Sequence, residues 1–145
     1  MLYGRYEHTI DAKNRVFVPA KYKEALGDSF KLSHNGMNNC ILVYSNDEWK
    51  KYEEQLATLP SIEFEDYIRE VYSNTVDVQI DSQGRIVIPN YLKEKLKITE
   101  ESVVKNLAIL GVGTHLEIWA LEGIEAKNKK VDMDNIRKMM IQMKF

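Results

Sequence analysis

Apolar and polar residues alternate with period two over several stretches of this chain, and each such stretch predicts a strand with one buried face. In Leu2–Ile10, Tyr6, His8 and Ile10 fall on one side and Glu7 and Thr9 on the other. Ser29–Leu32 reads as a short strand and Cys40–Tyr44 as a buried one. Val76, Val78 and Ile80 alternate with Asp77 and Gln79, and Arg85–Ile88 resumes the alternation. Ser102–Val112 is strongly apolar, Gly111-Val112-Gly113-Thr114 reads as a turn, and His115–Trp119 as the closing strand. Elsewhere the spacing is helical. Ser45-Asn46-Asp47-Glu48 has the spacing of a capping box, ahead of Trp49, Tyr52, Leu56 and Leu59, until Pro60 stops the helix. Ser61 is placed to cap a second helix carrying Ile62, Tyr67, Ile68 and Val71. Val131–Phe145 sets Met133, Ile136, Met140 and Met143 at helical spacing behind an Asp132 or Asp134 cap.

Two of these segments are copies of one another. Ile10-Asp11-Ala12-Lys13-Asn14-Arg15-Val16-Phe17-Val18-Pro19 aligns without a gap on Ile80-Asp81-Ser82-Gln83-Gly84-Arg85-Ile86-Val87-Ile88-Pro89, at an offset of 70 (80 minus 10). Ile, Asp, Arg and Pro are identical, Val16/Ile86 and Val18/Ile88 are conservative, and the register continues through Lys23/Lys93, Glu24/Glu94 and Leu26/Leu96. Agreement in that order marks an internal duplication. Each copy predicts strand, tight turn, strand, proline and short helix. Asp11 and Asp81 accept bonds from turn amides, and Gly84 supplies a positive φ. Asn14 takes the glycine's place in the first copy, and asparagine tolerates the same left-handed region. Pro19 and Pro89 suit the first position of a helix, where no amide is needed.

Composition narrows the class. The 145 residues suffice for one ordinary core or two small interlocked ones, and 44% hydrophobic with 29% charged residues is the balance of a folded soluble domain. No apolar run approaches the roughly 20 residues of a membrane span. Arg5, Glu7, His8 and Asp11 are unlike a signal peptide, so a cytoplasmic protein is expected, with no membrane partner. The single Cys40 excludes an internal disulfide, and no Cys/His spacing calls for a metal. His8, opposite Val78 in the repeat, is expected to pack rather than ligate. Gly111-Val112-Gly113 lacks the third glycine and the helix of a nucleotide-binding loop.

Net charge is −2, which excludes a generally basic nucleic-acid coat, but the charge is unevenly spread. Met1–Leu26 holds five Lys/Arg against three Asp/Glu, Asp47–Glu70 three against eight, and Lys127–Phe145 six against two. Any polyanion must therefore be met by a local face.

The set Tyr6-Glu7-His8-Thr9-Ile10-Asp11, Arg15, Pro19-Ala20-Lys21, Val43-Tyr44 and Glu48-Trp49 belongs to the first half. Asp81, Gly84-Arg85, Ile88-Pro89, Leu110-Gly111-Val112-Gly113 and Glu117-Ile118-Trp119 complete it in the second. In these residues, from Met1 to about Ala120, the chain resembles the MraZ family of bacterial transcriptional regulators, within the AbrB/SpoVT swapped-hairpin superfamily. The family's Asp-x-x-x-Arg motif occurs here as Asp11/Arg15 and Asp81/Arg85. Asn14 departs from its usual Gly, and Ile124 stands where the first half has Trp49. The resemblance implies an α+β, mainly β fold: a tandem duplicated swapped-hairpin β-barrel with short helices, a helical connector and a C-terminal helix. The chain is expected to divide into a first AbrB-like repeat at 1–50, a helical connector at 51–74, a second repeat at 75–122 and, beyond the reach of the resemblance, a basic, Met-rich helical tail at 123–145. The resemblance carries more than the fold. It further implies a pseudo-dimer within one chain, ring-shaped homo-oligomers, and binding to short direct repeats of double-stranded DNA upstream of the division and cell-wall gene cluster, in the nucleoid.

On that reading Arg15 and Arg85 are the base readers, because a guanidinium bonds guanine O6 and N7 with two parallel donors. Lys13, Arg5 and Lys21 hold phosphates. Asp11, Asn14, Asp81 and Gly84 shape the turns. A structural salt bridge within each Asp/Arg pair is the equal alternative. Lys13 against neutral Gln83 gives the first copy the larger share of DNA contact. One rival function is an AbrB-like antitoxin or partner-binding module using the tail, with DNA binding secondary. An enzyme is not expected: three isolated histidines and one cysteine make no catalytic or cofactor-binding arrangement.

Overall fold

The computed structural model describes residues 1–98 and 105–144. In chain order they form β1 (Leu2–Ile10), β2 (Arg15–Phe17), α1 (Ala20–Leu26), β3 (Ser29–Ser33), β4 (Cys40–Tyr44), α2 (Asn46–Leu56) and α3 (Glu65–Ser73). The second half adds β5 (Val76–Gln79), β6 (Arg85–Val87), α4 (Asn90–Lys93) running into a 3-10 turn at Glu94–Leu96, β7 (Lys105–Gly113), β8 (Leu116–Ala120), α5 (Leu121–Lys129) and α6 (Met133–Gln142).

Six strands make one antiparallel sheet in the order β1-β7-β8-β4-β3-β5. That order shows the duplication in space. If β1, β3 and β4 are the counterparts of β5, β7 and β8, reading it backwards exchanges the halves and returns the same sequence. Each half lends its first strand to the other: β1 lies along β7 from Leu2↔Gly113 to Ile10↔Lys105, and β5 along β3 from Ser29↔Gln79 to Leu32↔Val76. The short strands β2 and β6 pair with each other, placing Val16 opposite Ile86, two residues that are equivalents in the repeat.

Two expectations change here. The strands on either side of each turn do not zip into a hairpin; Asp11 N–H to Arg15 C=O (3.2 Å) and Asn14 N–H to Asp11 C=O (3.0 Å) close the first turn, and Asp81 N–H to Arg85 C=O (2.8 Å) and Gly84 N–H to Asp81 C=O (3.0 Å) the second. A three-residue strand then crosses to its counterpart, where the ladder puts Val16 and Ile86 into the core. Nor does the main sheet close into a barrel: β1 and β5 remain its edges. The α+β, mainly β class holds.

Both faces of the sheet are covered, which is why all five residues of β4 are buried. One face packs Ile41, Val43, Leu107, Ile109 and Ile118 under Val16 and Ile86 of the ribbon and Tyr22, Leu26, Leu92 and Leu96 of the short helical segments. The other packs Cys40, Leu42, Tyr44, Ala108 and Trp119 under Trp49, Leu56, Val71 and Ile124. Ile124 and Trp49 thus fill corresponding places.

Helix ends follow local chemistry, with corrections. Ser45 Oγ accepts from Glu48 N–H at 3.2 Å, but the Glu48 carboxylate pairs with Lys51 instead of reaching back, so the capping box is half made. Ser61 caps nothing: Phe64 N–H donates to Pro60 C=O, α3 begins at Glu65, and Ile62 is 91% exposed rather than packed. Asp132 caps α6 through Asp134 N–H and Asn135 N–H. Pro19 and Pro89 stand one residue ahead of their helices, as caps. Every residue of α6 is exposed. Residues 102–104 of the expected apolar segment lie outside the described residues. No helix among the described residues is long and apolar enough to cross a membrane.

Gly111, expected in a turn, is instead within β7 opposite Gly4 of β1, and the reversal falls at Thr114–His115, where Val112 N–H donates to His115 C=O. A Cβ on Gly111 would stand 2.6 Å from Tyr3 Cα and 2.7 Å from Leu2 carbonyl carbon. Backbone on both sides has no rotamer to yield. Gly111→Ala is therefore expected to force β1 from β7 and cost about 1–3 kcal/mol in denaturant melts, whereas Gly123→Ala, in helix α5 with its nearest atoms 3.8 Å away, should be at least as stable as the parent.

Candidate nucleic-acid interface

The two turns are built alike from their aspartates. Asp11 Oδ1 accepts Lys13 N–H and Arg15 N–H, both at 2.9 Å, and its Oδ2 takes Arg15 Nε at 2.6 Å. Asp81 does the same with Gln83 N–H and Arg85 N–H at 2.9 Å and Arg85 Nε at 3.0 Å. One carboxylate thereby bends the chain and aims its own arginine. The backbone amides of Arg15 and Arg85, ahead of the guanidinium bonds, hold the two carboxyls below the ordinary carboxylate range. Asn14 (φ 61) and Gly84 (φ 81) occupy the left-handed position expected of them.

The salt bridge and an exposed guanidinium coexist. Only Nε of each arginine is bound; the terminal nitrogens make no protein hydrogen bond among the described residues. In the ribbon Arg15 lies across from Val87 and Arg85 across from Phe17, while Val16 and Ile86 point inward. The outward face is thus two arginines flanking two exposed apolar residues, Phe17 at 49% and Val87 at 58%. The Arg15 side chain is 32% exposed and that of Arg85 only 19%, its guanidinium 6.0 Å from the Phe17 ring.

Lys13 is exposed at the tip of the first turn, beside Arg15. Arg5 and Lys21 are elsewhere. Arg5 sits mid-β1 near Glu7 (3.6 Å), and Lys21 Nζ lies 3.8 Å above the Tyr3 ring. At a strand rise of about 3.3 Å per residue, Arg5 is roughly 20 Å from Asp11. The structure gathers Lys13, Arg15 and Arg85 about the ribbon and leaves Arg5 and Lys21 as a separate cluster.

Sequence reasoning overlooked Asn90, Lys23 and Lys93. Asn14 Nδ2 donates to Asn90 Oδ1 at 2.7 Å, and Lys93 Nζ donates to Asn14 Oδ1 at 3.0 Å. The only signal for the lysines was their place in the repeat register. Phe17 and Val87 were legible as outward ribbon positions once the alternation was traced past the turn.

His34, Cys40, Tyr44 and His115 serve packing. Buried His34 uses Nδ1 on Cys40 C=O at 2.8 Å, and burial pushes the Cys40 thiol up to about 12. Burial also pushes the Tyr44 phenol up to about 12 and the stacked His115 imidazole below its usual value. No group of three or more His, Cys, Asp or Glu among the described residues is arranged to hold a metal.

The depressed aspartates give stability a definite pH dependence. A carboxyl whose folded pKa lies below the unfolded value of 3.8 stabilises fully above that value, and the contribution is lost as pH falls through the folded pKa. The parent should therefore lose melting temperature more steeply between about pH 5 and 3 than an Asp11→Asn/Asp81→Asn variant; parallel curves would show that these carboxylates stabilise nothing.

Comparison with known proteins gives the family. The model of the family described as "MraZ protein, putative antitoxin-like" matches residues 1–68 and again 71–142, one match for each half. A protein of Caldanaerobacter subterraneus subsp. tengcongensis named "Transcriptional regulator MraZ" is 44% identical over 135 residues, covering 92% of this chain and 90% of the relative. One of the same name from Desulforamulus reducens is 37% identical, covering 91% and 90%, and one from Clostridium acetobutylicum is 36% identical over 99% of both chains. The chain belongs to the MraZ family of transcriptional regulators.

Proposed function

We propose that this chain binds short direct repeats of double-stranded DNA upstream of the division and cell-wall gene cluster, as a ring-shaped homo-oligomer in the nucleoid of the cytoplasm. The observation that carries this is the β2–β6 ribbon. A two-stranded antiparallel ribbon is one of the two elements a major groove admits. This one turns outward two arginines with unused paired donors, each preset by an aspartate. The repeats at 1–50 and 75–122 act as the two halves of one reading unit, with the connector at 51–74 and the tail at 123–145 outside it. Arg15 and Arg85 read bases, Lys13 holds a phosphate, and Asp11, Asn14, Asp81 and Gly84 maintain the turns. Arg5, on β1, and Lys21, on α1 with its Nζ over the Tyr3 ring, do not share that contact.

Few cations per chain reach the duplex, so tight binding at physiological salt requires several chains together. The partner is a second copy. Helix α6 carries Met133, Ile136, Met140 and Met143, all exposed, and ten residues are too few to hold a helix in water unaided. Its segment is basic, and the α2–α3 connector is acidic. Charge complementarity thus favours the tail of one chain on the connector of the next.

Arg15→Ala should leave stability within about 1 kcal/mol yet weaken specific retardation of the upstream DNA by roughly 5- to 150-fold, the worth of a bidentate base contact. Arg85→Ala should weaken it less, since Arg85 is the less exposed and Gln83 adds no charge. Parent-like binding by Arg15→Ala would end its base-reading role. Light scattering should return a species larger than a dimer. A monomer of 16.9 kDa at micromolar concentration would remove the ring, and a stable hetero-complex through residues 131–145 would favour the antitoxin-like module.

A further inference from the structure

The strand exchange carries a lysine from each half onto the turn of the other. Lys23 in α1 and Lys93 in α4 are equivalents in the repeat (23 plus 70 is 93). Val18 N–H donates to Gly84 C=O at 2.9 Å and Ile88 N–H to Asn14 C=O at 2.8 Å, so the chain leading into each helix is tied to the opposite turn. Lys93 Nζ then reaches Asn14 Oδ1 at 3.0 Å. Lys23 Nζ stands over the second turn, 2.5 Å from where a Cβ on Gly84 would lie, with its Cε at 3.2 Å.

The two contacts differ in what holds the ammonium. At the first turn the Asn14 amide accepts Lys93 and is itself fixed by Asn90. The matching positions at the second turn are Gly84 and Ala20, which have no polar side-chain atom (14 plus 70 is 84; 90 minus 70 is 20). Lys23 has no hydrogen-bond or ion-pair partner among the described residues. Charge at the tips differs in the opposite sense, Lys13 on the first turn against Gln83 on the second.

We propose that Lys23 is a phosphate-holding residue of the second turn, and that Asn14 and Asn90 withhold Lys93 from the same role on the first. Each turn then offers one arginine and one uncommitted lysine: Arg15 with Lys13, and Arg85 with Lys23. The exchange of a tip lysine for glutamine in the second copy is offset by a lysine arriving from the other half. An ammonium beside Gly84 is one residue from Arg85, so a duplex touching Arg85 lies within reach of it. A lysine serving only to cover the turn would be fastened, as Lys93 is. This inference rests on the DNA-binding reading above.

Full-length chain and DNA from its own upstream region test it, through the slope of log affinity against log salt, with melting temperature as a check on folding. Each phosphate contact contributes about 0.9 to that slope. Lys23→Gln should flatten it by about 0.9 per bound chain without moving the melting temperature, and Lys93→Gln should flatten it less. Ala20→Asn/Gly84→Asn, which rebuilds the first turn's clasp around Lys23, should flatten it as Lys23→Gln does. Asn14→Gly/Asn90→Ala, which releases Lys93, should steepen it. If Lys23→Gln keeps the parent's slope while Arg15→Ala binds as weakly as expected above, the role of Lys23 is wrong and DNA reading stands. An unchanged slope in Asn14→Gly/Asn90→Ala overturns the withholding of Lys93. A parent that does not retard the fragment overturns both this inference and the reading beneath it.

Discussion

Two strands of three residues, too short to stand alone, are held by each other, and that single pairing commits both halves of the molecule. β2 finds its ladder in β6, and Val16 and Ile86 enter the core as a facing pair. Buried backbone polar groups require partners, and in this fold the partner of each half belongs to the other. The same exchange places β1 on β7 and β5 on β3. Neither half could retain these bonds by folding separately, so the duplication yields one interlocked body with two turns projecting from it.

The turns are where this commitment becomes chemistry. An aspartate that takes two backbone amides and its own arginine's Nε leaves the guanidinium half-buried but oriented, its terminal nitrogens unbonded among the described residues. Partly exposed ion pairs of this kind contribute little stability. Their consequence is orientation: fewer conformations remain to be lost when the two terminal nitrogens meet a planar acceptor pair. The side chain that makes the turn is thus the one that orients its own arginine, four residues on in both copies.

The helical layer has another logic. α2, α3 and α5 cover the second face of the sheet with Trp49, Leu56, Val71 and Ile124, and an aromatic group of Tyr44, Trp49, Tyr52 and Tyr67 seals it. Tyr52 and Tyr67 share a hydrogen bond between their hydroxyls, joining α2 to α3. α6 takes no part in this layer, and its methionines are left outward. Among the described residues its apolar side chains find no cover.

Much was written in the residues themselves. The offset of 70, the strand at Leu2–Ile10, the buried run Cys40–Tyr44, the left-handed site at Asn14 and the Asp132 cap are short-range matters, decided by periodicity and local hydrogen bonding. The expected tip residues Lys13 and Arg15 did fall together for the same reason. What the sequence left open depends on contacts distant along the chain. Period two shows that Arg15–Phe17 and Arg85–Val87 are extended but not which strands they join, and they pair with each other rather than across their own turns. Gly111 looked like a turn residue until β1 was laid against it. Arg5 and Lys21, close to Arg15 in number, are carried away along β1 and α1, while Lys23 and Lys93 arrive from the opposite half. Local sequence determined the parts and their repetition; only tertiary pairing decided which charges share a face, because strand exchange joins residues about 70 positions apart.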